Sequence, residues 1–145
     1  MTTALPEEPV GPIARIGHGE PTGTSRTLNR LPRLLLHAEG AAVAGSAIAL
    51  YFNAGYPWWL LVALILAPDL SMVGYLTGPI IGTATYNAAH TYSLPVILAA
   101  IGVTVDADVA VQVGLIWIAH IGIDRAIGYG LKYPTGFKDT HLQRA

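Results

Sequence analysis

Trp58-Trp59-Leu60-Leu61-Val62-Ala63-Leu64-Ile65-Leu66-Ala67-Pro68-Asp69-Leu70-Ser71-Met72-Val73-Gly74-Tyr75-Leu76 contains one ionisable acid, Asp69, and no base. At ~1.5 Å of rise per residue, a helix of this length crosses the ~30 Å hydrocarbon core of a bilayer. A water-soluble helix needs a charged outer face, and this stretch has none. It reads as a transmembrane helix.

Three more apolar segments flank it, at about Leu34–Phe52, Ile80–Ile101 and Val109–Ile127. They are continuous runs without strict alternation, which predicts helices rather than a barrel. The links are short: Asn53-Ala54-Gly55-Tyr56-Pro57, Thr77-Gly78-Pro79 and Val103–Asp108. Short links make sequential helices antiparallel neighbours. The expected fold is all-α, an integral membrane four-helix bundle over residues 33–131.

Charge placement supports this. All eight Lys and Arg lie at 15, 26, 30, 33, 125, 132, 138 and 144, so residues 34–124 hold none. Basic residues flank the first and last segments but not the loops at 53–57 and 103–108. An even number of crossings with basic ends predicts both termini cytoplasmic, in the cell (inner) membrane. Tyr56, Trp58 and Trp59 then mark the outer interface, Tyr129 and Tyr133 the inner one.

The composition excludes several classes. Charged residues make up 12% and apolar residues 52%, a balance for a lipid bilayer rather than water. No basic stripe suits nucleic acid. With no Cys there are no disulfides, thiolate metal sites or Cys nucleophiles. A secretory signal is not expected, since Pro- and Glu-bearing sequence precedes the first apolar run. Residues 1–32, rich in Pro and Gly, read as a disordered tail. Residues 132–145 read as a cytoplasmic segment packed near the inner interface. The Gly- and aromatic-rich stretch from Gly128 to His141 suggests an ordered loop that emerges below the polar groups of the helices and covers them, or a plain Tyr/Lys interfacial anchor.

Ionisable groups inside a bilayer cost about 2.5–3.5 kcal/mol each on insertion scales. The apolar segments nonetheless hold Glu39, Asp69, His90, His120 and Asp124, accompanied by His37, Ser71, Tyr86 and Asn87. In the expected topology all of them fall in the cytoplasmic half of the membrane. His120 and Asp124 are four residues apart, on one helix face, as are Tyr86 and His90. Pro68 removes an N–H beside Asp69 and predicts a kink there. Two His and up to three carboxylates make a hard-to-borderline metal set, and His90, His120, Asp124 and Asp69 are the candidate ligands of a divalent metal and the candidate catalytic residues. The competing reading is that these groups pair with one another and lock the bundle. Arg125 reads as an interfacial anchor and Trp117 as packing.

Three blocks together resemble a known family. They are Leu66-Ala67-Pro68-Asp69-Leu70-Ser71-Met72-Val73-Gly74-Tyr75, Tyr86-Asn87-Ala88-Ala89-His90-Thr91-Tyr92, and His120-Ile121-Gly122-Ile123-Asp124-Arg125-Ala126-Ile127-Gly128-Tyr129-Gly130-Leu131-Lys132. In this order they are similar to the small bacterial membrane proteins called domain of unknown function 4260. The resemblance implies a compact membrane domain and supplies no activity. It adds Glu39, Ser71, Tyr75, Asn87, Arg125 and Tyr129 as candidate ligand-binding residues.

Three functions stay open. One is a metal-dependent hydrolase of a lipid-like substrate, with Asp69 as ligand or general base. Another is a small transporter with Glu39, Asp69 and His90 as an ion relay. The third is a structural or partner-binding subunit without catalysis.

Overall fold

A computed structural model of the chain describes residues 23–135, 140 and 142, with side chains from residue 31 onward. Among the described residues the fold is all-helical: α1 (Gly23–Asn53), α2 (Trp58–Leu64), a 3-10 helix (Ala67–Thr77), α3 (Pro79–Ala89), α4 (Ser93–Thr104) and α5 (Asp108–Ile127). Leu31–Asn53, Trp58–Thr77 and Asp108–Ile127 are long and apolar enough to cross a membrane. Their outward faces are hydrocarbon, with Leu34, Leu50, Trp58, Val62, Leu70 and Ile127 all exposed. Water would not stabilise such a surface; lipid does.

α5 is the centre of the fold and packs against α1 on one side and α4 on the other. Both contacts are antiparallel. Gly40 sits against Gly122, Arg125 and Ala126, and Gly122 against Ala44. A Cβ built on Gly122 would lie 2.7 Å from the Ala44 nitrogen and 2.9 Å from the Gly40 oxygen, so the two backbones touch only because neither residue has a side chain. On the α4 side, Gly102 meets Val111 and Gly114 meets Ala99.

The second span changes character at Pro68. α2 ends at Leu64, and the chain continues as a 3-10 helix whose Asp69 N–H donates to the Leu66 carbonyl at 3.1 Å. Proline removes the α-type bond to Leu64 and its ring crowds that carbonyl. A 3-10 run of this length is uncommon. Its ~2.0 Å rise lets α2 and the 3-10 helix together reach ~33 Å. Gly78, at φ +127, then reverses the chain into α3, which lies antiparallel on the 3-10 helix. The Thr85 hydroxyl donates to the Ser71 carbonyl across this hairpin at 3.0 Å.

Three expectations need correction. The single helix expected over 80–101 is two helices broken at residues 90–92. The last α-type bond of α3 runs from the His90 N–H to the Tyr86 carbonyl, and Pro95 in the first turn of α4 cannot donate to the Thr91 carbonyl. The expected tail of 1–32 is too long, because α1 already begins at Gly23 and continues through Pro32 into the apolar run; residues 1–22 lie outside the described residues. The third correction concerns the C-terminal segment. Gly128 adopts the left-handed cap at φ +97, with the Tyr129 N–H reaching back to the Asp124 carbonyl at 2.7 Å. The chain then folds back, Lys132 pairing with Thr140 and Leu142 fully buried. It is more than a surface anchor. Residues 136–139 and His141 of this stretch lie outside the described residues.

Candidate metal centre

Asp69 comes from the 3-10 helix, His90 from the break between α3 and α4, and His120 and Asp124 from one face of α5. Their donor atoms lie within 4.8 Å of one another. His90 Nε2 is 3.2 Å from His120 Nε2, 3.3 Å from Asp69 Oδ1 and 3.6 Å from Asp124 Oδ2. His120 Nε2 is 3.6 Å from Asp69 Oδ1 and 3.7 Å from Asp124 Oδ2. A tetrahedral ion with bonds of ~2.0–2.2 Å spaces its donors ~3.3–3.6 Å apart. Five of the six separations among the four atoms, 3.2–3.7 Å, lie close to that spacing.

The protonation pattern favours a cation. His90 Nδ1 lies 2.8 Å from the Tyr86 carbonyl, where only an N–H can bond. In the neutral ring this leaves the Nε2 lone pair facing two carboxylate oxygens and a second imidazole nitrogen. Lone pairs facing one another repel unless a proton or a metal cation sits between them. If both imidazoles were protonated instead, two N–H groups would face each other at 3.2 Å.

Burial divides the four. The side chains of His90 and His120 are 3% and 4% exposed and Asp124 17%, whereas Asp69 is 40% exposed. Three donors are fixed in the fold and the fourth stands at its edge.

The helix break is held by side chains that the sequence reading treated as background. A helix end leaves carbonyls without partners. The Trp117 indole N–H donates to the Ala89 carbonyl at 2.6 Å, and Arg125 Nη2 donates to the His90 carbonyl at 3.3 Å. Trp117 is thus a donor as well as packing, and Arg125 reaches inward rather than anchoring at the interface. The Tyr86 ring stacks on His90 at 3.8 Å between centroids.

Of the other candidates, Asn87 fastens the C-terminal segment. Its amide donates to the Lys132 carbonyl at 2.9 Å, and its carbonyl oxygen accepts from the Lys132 N–H at 2.7 Å. The Tyr75 hydroxyl bonds Thr83 Oγ1 inside the hairpin. Ser71 Oγ is buried with no hydrogen-bond partner among the described residues. Glu39 and Tyr129 do not join the cluster; both are exposed. α1 turns its Gly40 and Ala44 face to α5, which rotates the neighbouring Glu39 away, and the Gly128 turn carries Tyr129 outward.

Lys132 was not among the candidates. It is 6% exposed, with its Nζ 4.0 Å from the centroid of the Tyr86 ring and 5.5 Å from that of Tyr75. Burial pushes its ammonium below the ordinary lysine value, against the pull of Asp69 and Asp124. Only its place among Gly and Tyr, in a stretch expected to cover the polar groups of the helices, hinted at this.

Residues 33–145 match the family described as Domain of unknown function (DUF4260). The chain belongs to this DUF4260 family. No curated protein and no solved structure matches it. All four metal-set residues fall within the region that matches DUF4260, so the cluster lies inside the family domain.

Proposed function

We propose that this DUF4260 protein is a membrane-embedded, metal-dependent hydrolase, with a divalent ion held by His90, His120 and Asp124 and by Asp69 as an exchangeable fourth ligand. The observation that carries the reading is the donor spacing, with five separations of 3.2–3.7 Å among two imidazoles and two carboxylates. The tautomer imposed on His90 by the Tyr86 carbonyl supports it, because it aims the Nε2 lone pair at the common centre. The greater exposure of Asp69 supports its separate role. It can yield its position to water or accept a proton from it. A zinc ion held by these residues would lower the pKa of its bound water to about 7.

The same reading takes α3 and α4 as one interrupted crossing, giving a four-helix bundle with four crossings and both termini cytoplasmic. Antiparallel packing of α5 with both α1 and α4 supports it, as does the Tyr56 to Asp108 hydrogen bond, which joins the two loops of one face. Residues 1–32 and 132–145 are then cytoplasmic extensions. A reporter fused after His141 should be cytoplasmic; an external one refutes this arrangement.

Metal analysis of the protein purified in mild detergent tests the centre. Wild type is expected to carry stoichiometric divalent metal and His120→Ala none. A wild type that stays metal-free after supplementation with zinc, manganese or iron refutes the proposal.

A further inference from the structure

We propose that the cavity beside the metal set binds one alkyl chain of a membrane amphiphile, with the polar end of that molecule at Asp69, His90, His120 and Asp124. This rests on the hydrolase reading for the chemistry at the polar end, though not for the chain. The cavity has a volume of about 460 Å³, within the ~300–1,000 Å³ of small-molecule sites. Leu64, Pro68, Ser71, Ala89, Val113 and Trp117 are among its walls.

Three wall residues adjoin the metal set. Pro68 precedes Asp69, Ala89 precedes His90, and Trp117 lies one turn before His120. From there the cavity runs toward Leu64 and Val113. Val113 is ~10 Å back along α5 from His120, past the middle of that helix. An amphiphile whose polar end reaches the cluster would lay its chain along this apolar path.

The walls exclude other occupants. They are hydrocarbon apart from Ser71 and the Trp117 indole, whose N–H is committed to the Ala89 carbonyl. Water needs two or more polar partners and would not find them here. Ser71 Oγ, two residues past Asp69, is buried without a partner among the described residues and can donate to a carbonyl at the head of the chain. Leu66 and Leu70, 66% and 71% exposed, lie beside this wall on the lipid-facing surface, so a chain can enter from the bilayer.

The test uses the full chain in amphipol, titrated with octanoate, dodecanoate and hexadecanoate and read by native mass spectrometry, with metal content measured on the same samples. One fatty acid should bind per chain, with affinity rising about fourfold per buried methylene until the cavity is full. Leu64→Trp and Val113→Phe fill the cavity from two walls and should weaken hexadecanoate binding about tenfold while metal is retained. Val113→Ala enlarges it without risk of overpacking and should extend the chain-length limit. Non-saturable adducts, or equal affinities and an unchanged limit across folded variants, overturn the proposal. A metal-free wild type that shows these chain effects instead removes the hydrolase reading and leaves the chain site standing.

Discussion

The seam between α1 and α5 and the hairpin of the 3-10 helix with α3 are built on opposite terms. The seam is regular helix on regular helix, closed by Gly40, Ala44 and Gly122, with Ala47, Tyr51 and Ile116 buried nearby. The hairpin contains a long 3-10 run, a Gly78 turn and an early helix stop. Its tip leaves Leu76 and Ile80 87% and 76% exposed. It packs on itself and touches α5 only slightly. Yet the hairpin supplies Asp69 and leads into His90, while α5 supplies His120 and Asp124. Each region gives half of the donors. The lesson is that a rigid seam fixes one half of the site, and the site itself fastens the other half to it.

The largest expected effect is the response to metal removal. Structural metal sites contribute on the order of 10 kcal/mol to the folds they close. Chelation, or His120→Ala, should raise hydrogen exchange across residues 67–90 strongly and leave Gly40–Tyr51 and Ile116–Gly122 protected. Equal loss in both regions would erase the contrast.

Gly122→Leu attacks the seam instead. The new side chain meets the Ala44 and Gly40 backbones, which cannot move aside. A destabilisation of about 3 kcal/mol is expected, the upper end for overpacking, read as a lower melting temperature in detergent. An unchanged melting curve would mean that the seam is not tight.

Trp117→Phe probes the joint between the regions. It leaves the Ala89 carbonyl unbonded in a dry place and should cost about 1–3 kcal/mol. Enhanced exchange should be confined to the residues around the α3 end. A change spread over α1 would show that the joint is not local.

The smallest effect concerns Lys132, which closes the hairpin from the C-terminal side. Its folded pKa is lowered by burial, so between that value and the ordinary lysine value the unfolded chain binds more protons than the folded one. Stability should therefore rise with pH through that alkaline window, the penalty for burying the charge being fully present below it. Lys132→Met should flatten the slope. Melting temperatures of both proteins from neutral to alkaline pH decide this, and identical slopes would deny that the ammonium is buried when charged.

Much of this was legible in the sequence, and the misses have particular causes. The kink at Pro68 followed from its missing N–H. Counting residues along the apolar runs pointed to Asp69, His90, His120 and Asp124 as neighbours, and they meet in the fold. The break at 90–92 was signalled by Pro95, but apolar continuity over 80–101 outweighed it. Glu39 shared the expected depth of the cluster, but depth does not say which way a helix is turned. Lys132 carried no signal beyond its neighbours, because its burial depends on where the chain returns after Gly128.

The sequence by itself determined that this is a helical membrane protein, because a charge-free run of this length is stable only where the backbone bonds itself and hydrocarbon surrounds it. It also determined where along its apolar run each polar group falls. Only the tertiary structure decided which groups meet. Rotation about each helix axis is set by where glycines let backbones close, and that closure turns His120 and Asp124 toward the hairpin while Glu39 turns away. The tautomer of His90 was likewise decided there, by a Tyr86 carbonyl that accepts from both the backbone N–H and the ring of His90.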